Sequence, residues 1–61
     1  MIVFRSGDGR WRVECTTQAM RVFEVGPRGG LLLRQECRAP EELDGWLREH
    51  AGLQLADLHQ D

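Results

Sequence analysis

The sequence predicts an α+β domain, a four-stranded antiparallel meander sheet with one amphipathic C-terminal helix packed on one face (ββββα). Three observations predict it. Apolar and polar residues alternate with period 2 through stretches such as "RWRVEC" at 10–15, the pattern of a half-buried strand. Turn-forming breaks, "SGDG" at 6–9, "TTQ" at 16–18 and "GPRGG" at 26–30, interrupt the alternation at short intervals. Beyond residue 39 the apolar spacing changes to that of a helix.

The breaks leave strands near 2–5, 10–16, 19–26 and 31–38, and loops this short require antiparallel neighbours. A turn centred on Thr17 and Gln18 sets Glu14 opposite Arg21, Val13 opposite Val22 and Cys15 opposite Met20. A loop over "PRGG" sets Arg21 opposite Glu36, with Cys37 beside Met20 and Gln35 beside Val22. A loop over "SGDG" sets Phe4 opposite Trp11, Ile2 opposite Val13 and Arg5 opposite Arg10. The three loops agree on one inner face, made of Ile2, Phe4, Trp11, Val13, Cys15, Met20, Val22, Leu33 and Cys37, with Glu24 and Gln35 as polar exceptions. Cross-strand pairs contribute about 0.2–1 kcal/mol each, so this agreement outweighs any single pair. The least favourable element is the Thr17-Gln18 turn, because a two-residue hairpin prefers Asn-Gly or a similar pair.

"APEELDGWLREHAG" supplies the cover for that face. Pro40 suits a first helical position, Glu41 and Glu42 complement the helix dipole, and Gly52 suits the residue that ends the helix. Leu43, Trp46, Leu47 and His50 fall on one helical face. Gly45 costs up to about 1 kcal/mol relative to Ala, with close approach to the sheet as a compensating reason for its presence. Residues 53–61 read as a short docking tail, helical or extended, held by Leu53, Leu55 and Leu58. The chain is read as a single small domain spanning 1–61.

A chain of 61 residues buries only about 60% of the surface its unfolded form exposes, so it needs a staple, unusually good packing or a partner. Its 41% hydrophobic and 30% charged residues exclude a disordered chain. No apolar run approaches the ~20 residues of a membrane span, and "MIVFRSGDG" lacks the apolar core and cleavage site of a signal peptide, so a cytoplasmic location with no membrane partner is expected. All eight basic residues are arginine, which fits either codon bias or selection for planar, bidentate contacts. Residues 1–38 hold seven arginines against four carboxylates, and residues 39–61 hold one arginine against six. A net charge of −2 thus joins a basic front to an acidic back.

The chemistry-bearing residues fit structural roles. Cys15 and Cys37 point inward but are separated by the third strand, roughly 10 Å and out of disulfide range. His50 and His59 form no close ligand pair with each other or with the cysteines. Ser6 sits in a turn without a local base, and "GPRGG" lacks the Lys-Ser/Thr and following helix of a phosphate-binding loop. No catalytic residue, metal ligand or cofactor is expected. Glu41, Glu42 and Asp44 are explained by helix-start electrostatics.

The outer face is the informative surface. It is expected to carry Arg5, Arg10, Arg12, Arg21, Arg34 and Arg38 against Glu14 and Glu36, with Val3, Phe23, Val25 and Leu32 among them. A solvated Glu14–Arg21–Glu36 ladder accounts for Arg21 but leaves several arginines without a carboxylate. Arg5 opposite Arg10 is a like-charge pair that an external anion would relieve. The sequence therefore predicts a small, non-enzymatic binding or regulatory protein that uses Arg12, Arg21, Phe23, Arg34 and Arg38 for protein–protein contact or homodimerisation. The alternative is a DNA- or RNA-binding module using the same face. In element order, residues 10–50 resemble the plant Apetala-type domains and the phage-integrase arm-binding domains, two families that lay a sheet in the DNA major groove. That resemblance implies phosphate or base contacts from the sheet arginines, whereas the acidic pI of about 5.6 opposes them.

Overall fold

A computed structural model describes all 61 residues. The strands are β1 (Ile2–Ser6), β2 (Trp11–Cys15), β3 (Met20–Val25) and β4 (Leu31–Cys37), followed by helix α1 (Pro40–His50), a 3₁₀ turn (Leu55–Asp57) and a short strand β5 (Leu58–Gln60). All pairings are antiparallel, in the order β4-β3-β2-β1-β5. The fold is α+β with one helix on one sheet face, but the sheet has five strands. The C-terminal segment makes a 3₁₀ turn and returns beside β1, pairing Ser6 with Leu58 and Phe4 with Gln60.

The core lies between sheet and helix. Trp11, Val13, Val22 and Cys37 meet Leu43 and Leu47, and Phe4, Met20, Leu53, Leu55 and Leu58 pack around them half-buried. Pro40 opens α1 at its first turn. In place of a capping side chain at Ala39, the Glu42 carboxylate accepts the Arg38 backbone N–H at 3.0 Å. Gly52, at φ +67°, adopts the left-handed conformation that lets the Leu53 N–H turn back to the Leu47 carbonyl. Gly45 serves no close approach to the sheet, because a Cβ there would meet open space.

Each hairpin is set by its turn. Between β2 and β3 the expected register holds, from Trp11 opposite Glu24 to Cys15 opposite Met20. The unfavourable Thr17-Gln18 pair is tolerated because the Thr16 hydroxyl accepts the N–H groups of Gln18 and Ala19, both at 3.2 Å, and no residue but glycine takes a positive φ. Between β1 and β2 the register lies two residues from expectation, with Phe4 opposite Val13 and Arg5 opposite Arg12. The loop covers residues 7–10 because the Ser6 hydroxyl accepts the Trp11 N–H at 3.0 Å and donates to Asp8 at 2.7 Å, while Gly9 turns at φ +74°. An even shift leaves every side chain on its expected face. Ile2 nevertheless is half exposed, since it lies at an uncovered end of the helix-bearing face.

The β3–β4 hairpin contains the departure that exchanges faces. Met20, Arg21 and Val22 lie opposite Cys37, Glu36 and Gln35 as expected, but Phe23 lies opposite Leu33 and Val25 opposite Leu31. The tip turn, closed by Gly26 and Gly30 with Gly29 at φ +82°, spans five residues where four were expected. The one-residue excess is absorbed by a β-bulge that leaves Arg34 without a cross-strand partner. A slip of one residue exchanges faces. Leu33 therefore leaves the inner face for the open one, and Arg34 turns the opposite way, toward the helix.

Asp44 ties the tail to the helix: one carboxylate oxygen accepts the Leu55 N–H at 3.0 Å and the other accepts from Arg48 at 2.7 Å. These bonds hold its carboxyl below the ordinary value of 3.8, the Leu55 N–H first and Arg48 second. A lowered carboxyl stabilises the fold above the unfolded value and loses that contribution as pH falls through the folded one. Leu55 amide exchange should therefore accelerate as pH drops below 3.8, once corrected for intrinsic exchange, and Asp44→Ala should remove that dependence. Gly45→Ala should stabilise the protein by about 1 kcal/mol and raise Tm by roughly 4–8 °C in thermal unfolding.

Candidate functional site

The sheet face away from α1 has no protein cover. Alternation and register place Val3, Arg5, Arg12, Glu14, Arg21 and Phe23 on it, together with Val25, Leu31, Leu33 and Glu36. Of the five expected contact residues, Arg12, Arg21 and Phe23 share this face. Arg34 does not. Its guanidinium lies 5.5 Å from the Trp11 ring centre and 5.6 Å from that of Trp46, and bonds Glu24 at 2.6 Å, all on the helix side. Arg38 lies past the end of β4, beside the start of α1.

The arginines of the open face are neutralised within the chain. Arg5 pairs with Asp61 at 2.7 Å, Arg12 with Glu14 at 2.9 Å and Arg21 with Glu36 at 3.4 Å. The expected surplus of positive charge is absent, and the like-charged neighbours, Arg5 and Arg12 in the observed register, are relieved by internal carboxylates. Arg10 reaches to 3.9 Å of Glu24 at the end of the sheet. Arg28, at the tip of the β3–β4 hairpin, and Arg38 are the arginines without an ion pair. Exposed pairs of this kind contribute about 0–1 kcal/mol each, so their main effect is on the charge the face presents.

What the face does present is apolar. Phe23 and Val25 on β3 lie directly opposite Leu33 and Leu31 on β4, forming one apolar quadrant at the hairpin end. Leu31, Leu32 and Leu33 are 48%, 62% and 52% exposed. Leu33 as a surface residue was missed because alternation runs through the bulge as if it were absent. The run "LLL", which breaks the period-2 pattern at the start of a strand, was the available signal.

The helix-bearing face holds the remaining candidates apart. Cys15 and Cys37 are free thiols flanking Met20 on successive strands. Burial pushes both thiols up, and the nearby Glu42 charge adds to the shift at Cys37. Cys15 borders an apolar cleft with Phe4, Met20, Leu43, Leu55 and Leu58. The Ser6 hydroxyl is buried and engaged in its turn. His50 lies against Trp46, ring centres 4.7 Å apart, and no three His, Cys, Asp or Glu side chains converge.

Compared with protein-family models, curated proteins and solved structures, the chain matches none.

Arg34 is a structural residue in this geometry. Arg34→Gln should lower stability by about 1 kcal/mol in urea denaturation and change tryptophan emission, because it removes a cation–π contact together with an ion pair. Arg12→Gln, on the open face, should stay within about 0.5 kcal/mol of the parent and leave emission unchanged.

Proposed function

We propose that this is a small, non-enzymatic binding or regulatory protein that acts by protein–protein contact through the open sheet face. One observation carries the reading: the face joins an apolar quadrant of Phe23, Val25, Leu31 and Leu33 to arginines already matched by carboxylates. Protein interfaces favour aromatic and apolar centres with arginine at their margins. Arg12 and Arg21 border the quadrant and are suited to orienting a partner, with Phe23 as the central anchor. A nucleic-acid surface instead draws its affinity from unpaired cations that displace counterions at phosphates. The internal ion pairs oppose that use.

The non-enzymatic reading is supported by the engaged Ser6 hydroxyl and by thiols that burial keeps protonated. No helix is long and apolar enough to cross a membrane, and a cytoplasmic location remains part of the proposal.

A mobility-shift assay on random-sequence duplex DNA at about 50 mM and about 200 mM salt tests the choice of partner class. The expected outcome is no retention at either concentration. Retention that weakens steeply between the two would overturn protein contact in favour of nucleic acid.

A further inference from the structure

The sheet has two edges, and they are unlike. β5 is three residues long and carries His59 and Gln60, with Asp61 following it and paired to Arg5. Short, polar edges of this kind resist pairing with another chain. β4 is seven residues long and opens with Leu31, Leu32 and Leu33, each about half exposed. Its free side presents unpaired backbone N–H and C=O groups. The bulge at Arg34 limits the regular part of this edge to its leucine end.

The three leucines do not share a face. Leu31 and Leu33 belong to the open face, and Leu32, opposite Glu24, belongs to the other. A partner stacked flat on the open face would cover the first two and leave Leu32, the most exposed, in water. A strand added beside β4 covers all three.

We propose that a second copy of this chain pairs with the free edge of β4, antiparallel about a two-fold axis at Leu32, an arrangement that presupposes protein contact at this surface. The register is self-complementary, as a two-fold interface requires. Leu31 faces the partner's Leu33 on the open side, and Leu32 faces the partner's Leu32 on the helix side. The apolar quadrants of the two copies merge into one stripe. Charge also matches. The same alignment runs the hairpin tip, which carries Arg28 without an ion pair of its own, toward the distal half of the neighbouring β4, which carries Glu36 on the open side. Glu36 is held within its own chain only by the 3.4 Å contact to Arg21. A two-fold contact repeats this pairing at both ends. An edge of this length gives a weak dimer, with Kd on the order of 10–100 μM.

Sedimentation equilibrium of the full chain from about 1 μM to about 1 mM, with tryptophan emission as a check of folding, tests the pairing. The expected result is a monomer–dimer equilibrium whose Kd rises at least ~10-fold in Leu32→Glu, where a charge faces its own copy. Arg28→Glu should weaken the dimer by roughly 3–5-fold, and the exchange Arg28→Glu with Glu36→Arg should recover most of that loss. A monomer throughout the range would overturn the paired edge while leaving contact with a different protein standing. A dimer indifferent to Leu32→Glu but abolished by Phe23→Glu would also overturn it, in favour of two sheets stacked face to face.

Discussion

The Arg34 guanidinium, over the rings of Trp11 and Trp46 and bonded to Glu24, ties together four elements: β2, β3, β4 and α1. It occupies this place because β4 has to satisfy two registers. The five-residue tip sets Val25 against Leu31, while the core position of Cys37 and the Arg21–Glu36 pair require the other end to be offset by one. One residue must therefore lack a partner. Were it Leu33, Arg34 would stay on the open side and the Glu24 carboxylate would keep only the 3.9 Å contact with Arg10. With Arg34 there, a long stem and planar cation cover two tryptophans and neutralise the one inner-face carboxylate. The surface on the opposite side of the sheet follows from the same adjustment, since the slip that admits Arg34 to the helix side sends Leu33 to the open side.

A second constraint is size. Full burial of large side chains is limited to Leu47, Val13, Val22 and Cys37, and a core this small leaves little margin against chain entropy. The chain compensates with local fastenings: the Ser6 and Thr16 turns, the Asp44 tie to the tail, and β5, which covers the free edge of β1. Closing one edge of the sheet in this way leaves the other as the open one. The exposed leucines of β4 thus fit a protein that completes its burial against another chain.

Much of the fold was legible in the residues. Period-2 alternation identified four strands, and the spacing of Leu43 and Leu47 identified the helix and its buried side. Face assignments survived even where the β1–β2 register did not, because a shift of two residues preserves them. The fifth strand was less legible: three residues, "LHQ", carry no periodicity, and their pairing depends on β1 lying within reach. Of the candidate site, Arg12, Arg21 and Phe23 were placed on the correct face by alternation alone. Arg34 and Leu33 were not, because a bulge depends on the meeting of two turns, each of which reads as ordinary by itself.

The amino-acid sequence by itself determined the first four strands and the helix, the inner positions of Trp11, Val13, Val22 and Cys37, and the basic-to-acidic gradient along the chain, since these follow from local spacing and composition. Tertiary structure alone decided which arginines remain unpaired and which apolar residues reach the surface. Asp61 meets Arg5 only after the tail has returned to β1, and Arg34 meets Trp46 only after the helix has crossed the sheet. A side chain's charge is written in its residue type; whether that charge is available to a partner depends on neighbours that only the folded chain brings together.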